Sequence, residues 1–359
     1  MKKTIFLILV FLLSSNVVFA ESDVVASEDV TSLEVVEALD LGIEDPILLP
    51  DSPFYFVKEW RRGVSSFFTF DSVKKAEKEL QYANERLMEA KKVAEKMGKE
   101  EVVAKAIEKY DTAMEKTRIR IEAAKQERKD DVRFQELMDK FTEDGFNQHR
   151  LISVIDKKIE AAPEEIREKI RAVKEEIVEK IGEVLVNVDG DKIEERLNKV
   201  IEKVEEGKLK HFRNLEVLKD LEEKLPEQAI PAIKRAQENS LSRLKANIQN
   251  LPEEKRKEIL ENYIEKVDGD EVRHLEILDE IKEDSSLNWS VRSAVEAGEA
   301  RAVNRLEKRV EGTENIKELE ILRSRIEAGP TIQKNAINLK SNLLRDIETK
   351  KSINKGLND

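Results

Sequence analysis

The chain contains no cysteine, which excludes disulfides, thiolate metal sites, cysteine nucleophiles and a lipid-modified N-terminal cysteine. Histidine is nearly as scarce, at three residues, and twelve glycines and eight prolines spread over 359 residues leave few natural breaks. Aromatic residues make up only 5% of the composition. Long apolar runs are missing beyond the first twenty residues, MKKTIFLILVFLLSSNVVFA. There Lys2 and Lys3 precede an apolar run from Ile5 to Leu13, and the small residues Val18 and Ala20 sit where a cleavage site after Ala20 requires them. This is the pattern of a secretory signal peptide over residues 1–20. Ser14, Ser15 and Asn16 cut the run short of the ~18 apolar residues that a membrane span needs. The expectation is a secreted, extracytoplasmic protein, periplasmic or at the cell surface, with no membrane contact after signal cleavage.

What the chain has in abundance is charge. Charged residues make up 39% of it, and the net charge is −12, made two units more negative by loss of Lys2 and Lys3 with the leader. Such a balance repels nucleic acid and anionic lipid. With abundant Ala, Glu, Lys and Leu it points to long helices rather than a mixed sheet domain.

Residues 21–47 carry nine acids and no Lys or Arg, and read as an acidic tether, mobile or loosely docked. Ser52 and Pro53 mark a helix start, a serine cap followed by proline at the first helical position. Phe56, Trp60, Val64, Phe67 and Phe68 then recur at helical spacing, so one face of a short helix is aromatic. From Asp71, a capping residue, Val73, Ala76, Leu80, Ala83, Leu87, Ala90, Ala94 and Met97 form a heptad seam that Gly98 ends. Val103, Ala106, Tyr110, Ala113, Thr117, Ile121 and Ala124 repeat it. The short break between the two predicts a long antiparallel helical hairpin.

Past residue 147 the helices shorten and similar segments recur: HRLISVID at His149, NLEVLKDL at Asn214, HLEILDEI at His274 and ELEILRSRI at Glu318. Their unequal spacing predicts irregular tandem helical hairpins. Two VDGD stretches, Val188 to Asp191 and Val267 to Asp270, read as turns in which glycine ends one helix and aspartate caps the next. A C-terminal helix and tail follow from residue 329.

The three histidines, His149, His211 and His274, fall near the starts of repeat helices, where boundary or capping positions are expected. Packed helices sit about 8–10 Å apart, too far for a row of them to share a zinc ion at ~2 Å. The VDGD acids do not fit a calcium loop. No nucleophile elbow, metalloprotease pair, phosphate loop or dinucleotide fingerprint is present. The expectation is therefore no catalytic residue, no cofactor and no metal. Asn288-Trp289-Ser290 matches a glycosylation acceptor, with Trp289 equally suited to anchor its hairpin.

Three roles are open to the aromatic face of Phe56, Trp60, Val64, Phe67 and Phe68. It fills the crevice above the alanine-rich hairpin, which is the leading expectation. Otherwise it docks a partner, or it inserts into a membrane interface with Lys58, Arg61 and Arg62 at the headgroups.

LLPDSPFYFVKEW at residues 48–60, FFTFD at 67–71 and KKAEKELQYANERLMEAKKVAEK together resemble an uncharacterised secreted family, domain of unknown function 5667, over roughly residues 46–160. The resemblance implies a signal peptide and an all-helical extracytoplasmic module. It implies no activity, cofactor or functional residue.

The combined expectation is an all-α, elongated, non-enzymatic interaction protein of the cell envelope. Its parts are a signal peptide at 1–20, a tether at 21–47, a hairpin module at 48–146, repeats at 147–328 and a tail at 329–359. Its partners are other proteins or copies of itself, met through an extended acidic surface. The alternative is an extracytoplasmic divalent-cation-binding or stress-buffering protein.

Overall fold

The computed structural model describes residues 36–312, apart from 97, 129–130, 204–208 and 268, together with a set of positions between 319 and 352. The expected leader, the first part of the tether, Met97, Asp268 and most of the C-terminal helix lie outside the described residues. Within them the chain is all-α, with eleven α-helices and no strand. These are α1 (Tyr55–Phe67), α2 (Ser72–Ala94), α3 (Glu100–Arg128), α4 (Val132–Lys158), α5 (Glu164–Asp189) and α6 (Ile193–Glu202), then α7 (Lys210–Lys224), α8 (Ile230–Asn250), α9 (Arg256–Lys266), α10 (Glu271–Lys282) and α11 (Trp289–Gly312).

The heptad reading of α2 and α3 holds residue by residue. Every seam position from Val73 to Ala94 and from Val103 to Ala124 is buried, and the two helices pack along their length. Asp71 caps α2, its carboxylate accepting the Lys74 N–H at 2.9 Å. The thin alanine seam is backed by α4, whose Phe134, Met138, Phe141 and Phe146 are all buried. A buried polar chain ties the three helices together. Tyr110 Oη donates to Gln148 Oε1 (3.0 Å), Gln148 Nε2 to Asn84 Oδ1 (2.6 Å), and Asn84 Nδ2 to Asp144 Oδ2 (2.6 Å).

The tether is not loose where it is described. Val36, Ala38, Leu41 and Ile43 are buried in the same core. Lys91 Nζ donates to the Val36 carbonyl (3.2 Å) and Asn84 Nδ2 to that of Leu41 (3.1 Å). The scattered apolar residues that made this stretch look half-ordered are its docking side chains.

No helix break marks the boundary expected at residues 146–147. It falls inside α4, which runs unbroken from Val132 to Lys158, and one apolar core continues from Val36 to Ala236. Gly145 does not break that helix. Ile181 of α5 occupies the space where its Cβ would stand.

The repeats take the form of helix pairs, α4 with α5, α7 with α8 and α10 with α11. Between them the short helices α6 and α9 pack against the second helix of the pair that follows, α8 and α11 respectively. A second core gathers Phe212, Leu244, Leu260, Leu278 and Val295. Helices α7 and α8 contribute to both cores, with Val217, Leu218 and Leu221 in the first and Phe212 and Leu215 in the second.

The two VDGD stretches differ. At the second, Gly269 has φ +149° and Asp270 caps α10, accepting the Val272 N–H at 2.9 Å, as expected. At the first, Gly190 stays right-handed at φ −52°, and Asp191 caps nothing. Asp189 is instead buried in an ion pair with Arg196, which holds the chain in a continuous 3-10 step into α6.

Candidate functional site

Helix α1 is attached inside out. Its start lies two residues beyond the expected Ser52-Pro53 signal, because the Ser52 hydroxyl accepts the Phe54 N–H (3.3 Å) within the preceding turn. Only Tyr55 and Arg62 of the helix are buried. Phe56, Trp60, Val64, Phe67 and Phe68 are exposed at 68%, 71%, 37%, 77% and 66%, and Phe54, Val57 and Phe70 are exposed with them. The wedge role expected for this face is thereby overturned: the rings fill no crevice.

The side of α2 that faces α1 supplies the reason. It carries Glu79, Glu85, Arg86 and Glu89, which apolar rings cannot satisfy. The polar side of α1 meets them instead. Arg62 donates to Glu89 Oε1 (2.8 Å), Glu85 Oε2 (2.6 Å), Glu59 Oε1 (2.6 Å) and the Tyr55 hydroxyl (3.1 Å). Tyr55 donates in turn to Glu89, and Lys58 Nζ lies 2.6 Å from the same carboxylate, which is fully buried. Further along, Ser66 donates to Glu79 (2.6 Å), and Lys78 donates to Thr69 (2.7 Å) and Ser65 (2.9 Å).

The electrostatics follow from burial and pairing. Burial opposes ionisation of Glu59, but Arg86, Arg62 and Lys109 outweigh it and bring its carboxyl down to about 2. Burial and the neighbouring Glu89 charge push the Tyr55 phenol up, so it remains a donor. Burial alone would lower the Arg62 guanidinium, yet Glu89 and Glu85 more than offset it and raise it. The same network consumes Lys58 and Arg62, the cations on which a headgroup-binding role depended. Arg61 alone of the three is exposed.

Two histidines belong to a different region. His149 is buried well inside α4, away from the helix boundary expected for it, whereas His274, also buried, sits in the first turn of α10 as expected, and both turn toward α7. His149 Nε2 lies 3.2 Å from Asp220, and His274 Nε2 lies 2.9 Å from Glu216, one helical turn earlier on α7. Burial and the Lys174 charge lower the His149 imidazole. Burial works against the Glu216 carboxylate, but Arg213 and His274 hold it down at about 2. Gly269 closes over this cluster, and a Cβ there would collide with Glu216 Oε1, Arg213 Nη1 and His274 Nε2. Beside it lies a cleft of about 800 Å3 lined by residues that include His149, Lys174, Asp220, Gly269 and Arg305. Among the described residues no group of three His, Asp or Glu is placed to hold one metal ion. Charge explains the geometry, since Arg213, Arg273 and Lys174 already stand against the two carboxylates.

His211 sits apart, its imidazole lowered to about 4 by burial and by Arg243 and Arg150. Trp289 is 81% exposed and anchors nothing, while Asn288 caps α11 by accepting the Val291 N–H at 2.9 Å.

Residues 47–144 match the family model described as Domain of unknown function (DUF5667). The matched span takes in α1 with its whole ion-pair network, α2, α3 and the first half of α4. No curated protein matches the chain. A solved structure titled "Computational Design of Self-Assembling Cyclic Protein Homooligomers" aligns over 77% of this chain and 98% of its own at 12% identity, with a TM-score of 0.32, too low to carry an argument.

Proposed function

We propose that this chain is an extracytoplasmic, non-enzymatic helical protein that works by contact, and that the aromatic face of α1 is its docking surface. The observation that carries the reading is the orientation of α1. Soluble chains keep large contiguous apolar patches covered, and patches beyond a few hundred Å2 mark interaction sites. Here a helix could have turned its rings inward and its charges outward. Instead buried ion pairs fix the opposite orientation, at the desolvation cost that such pairs carry. The leader-like N-terminus supports an extracytoplasmic location, and the acidic, elongated helical array serves as the scaffold that presents the face.

The test is a triple variant, Phe56→Ser/Trp60→Ser/Phe67→Ser. At high dilution its melting temperature is expected to stay within about 2 °C of the parent, because the removed rings are mostly solvated. Every association of the mature chain, with itself or with extracytoplasmic proteins, is expected to disappear. A fall of more than about 8 °C at the same dilution would show that the rings hold the fold, and would end the docking reading.

A further inference from the structure

The acceptor pattern for an N-linked sugar occurs once in the 359 residues, at Asn288-Trp289-Ser290, with tryptophan rather than the forbidden proline at its middle position. A packing role for that tryptophan is gone, because its ring stands 81% exposed. The acceptor asparagine is exposed as well, and Ser285 and Ser286 beside it are open to solvent, so a bulky group has room there. Other asparagines of this chain have no such setting. Asn84, Asn214 and Asn247 are buried, and a sugar on any of them would force its helix away from the fold.

The two ends of the Asn288 side-chain amide are used differently. Its Oδ1 accepts the Val291 N–H at 2.9 Å and caps α11, while its Nδ2 donates to nothing among the described residues. An N-linked sugar replaces one hydrogen of Nδ2 and leaves the carbonyl in place, so the cap survives the modification. Resting on the extracytoplasmic location proposed above, we infer that Asn288 is a site of N-glycosylation. The donor is a glycan carried on a polyprenyl diphosphate. Nδ2 bonds to the anomeric carbon, the bond from that carbon to the diphosphate oxygen breaks, the diphosphate leaves with the electron pair, and Nδ2 gives one proton to a base of the transferring enzyme.

The fold also dictates when the sugar is added. The pattern is read through the Ser290 hydroxyl, and Ser290 lies in the first turn of α11, where its Oγ accepts from Arg256 Nη1 at 2.6 Å. In the folded chain that hydroxyl is taken. Transfer therefore belongs to the extended chain as it is exported, before α11 forms. Folding then buries Leu287 and Val291 in the second core and leaves the sugar between them on an outer corner. There the Trp289 ring offers an aromatic face to the C–H side of the first sugar.

The experiment takes the full-length chain from the cells that naturally make it, separated into intracellular and exported fractions. Mass spectrometry with electron-transfer fragmentation then reads the tryptic peptide EDSSLNWSVR, residues 283–292. In the exported chain this peptide should carry a glycan mass localised to Asn288. Asn288→Asp should abolish it, and because aspartate keeps an oxygen for the Val291 N–H, the circular dichroism and melting temperature should stay those of a folded chain. Ser290→Ala should abolish it too, which sets enzymatic transfer apart from chemical attachment to an exposed amide. An exported chain whose peptide is bare overturns the inference and leaves the location standing. A glycan that persists in either variant also overturns it, since it then sits on a serine of the peptide or was added without reading the pattern. A chain found only inside the cell, with residues 1–20 still attached, ends the location and the modification together.

Discussion

Replacing Arg62 by alanine should free α1 from the protein, whereas replacing Trp60, two residues away, should not. Arg62 is the centre of the network that binds α1 to α2, touching Glu59, Glu85, Glu89 and Tyr55 at once. Its removal leaves Glu89, fully buried, with Lys58 and the Tyr55 hydroxyl as partners. Breaking a buried pair by deleting one member costs about 3–5 kcal/mol. Because α1 meets the rest of the fold mainly through α2, that loss falls on local attachment rather than on global unfolding. At about 1.4 kcal/mol per tenfold, amide exchange over residues 55–67 should accelerate roughly a hundredfold or more, up to the rate of a free peptide. Trp60 is 71% exposed, so the fold covers under a third of it. On a ring of about 250 Å2 that is worth at most ~2 kcal/mol against an extended chain, and alanine's better helix propensity returns part of it. Exchange in Trp60→Ala should therefore change less than about tenfold. Hydrogen exchange read by mass spectrometry at high dilution compares the two, with α2 peptides as the internal standard. If Trp60→Ala exposed α1 as much as Arg62→Ala does, the inside-out attachment would be wrong.

Gly269→Ala should destabilise the second core by about 2–4 kcal/mol in urea titration, since φ +149° is a glycine conformation and the new Cβ meets Glu216, Arg213 and His274. Asp144 is pushed up to about 6 by burial, only partly offset by Lys140, so its charge costs stability above that pH and the cost vanishes as pH falls toward 4. Asp144→Asn should accordingly gain ~2 kcal/mol at pH 7.5 and lose that advantage by pH 4. His211 works in the other direction. Its imidazole is lowered to about 4, so the unfolded chain takes the proton first and stability falls as pH drops from 6.5 toward 4. His211→Gln should remove up to ~3 kcal/mol of that acid sensitivity in melts taken across this range.

The hairpin was legible because its signal is purely apolar: residues from Val73 to Ala124 recur at helical steps, and every described one is buried. The orientation of α1 was not legible by the same rule. An amphipathic pattern separates two faces without saying which one turns inward. The deciding residues were present as spacing, with Lys58, Arg62 and Ser66 at four-residue steps on α1 and Glu79, Glu85 and Glu89 along one side of α2, yet charges at such steps on helices are usually solvated. The repeats and the equivalence of His149 and His274 could be read from matching segments. Their partners could not, because Glu216 and Asp220 lie on a third helix more than fifty residues from either histidine. Nor does the sequence show that α4 runs on past Gly145, because the contact that fills the place of its Cβ comes from Ile181 on another helix.

Helices α7 and α8 belong to both cores, which limits how such a chain can be recombined over evolutionary time. A crossover between residues 209 and 248 would join halves whose shared helices were shaped by different neighbours, leaving Leu221 or Phe212 facing a foreign surface. Only exchanges that carry α7 and α8 together with both their neighbours keep the packing intact. The repeats can thus vary in sequence, but they are not interchangeable modules.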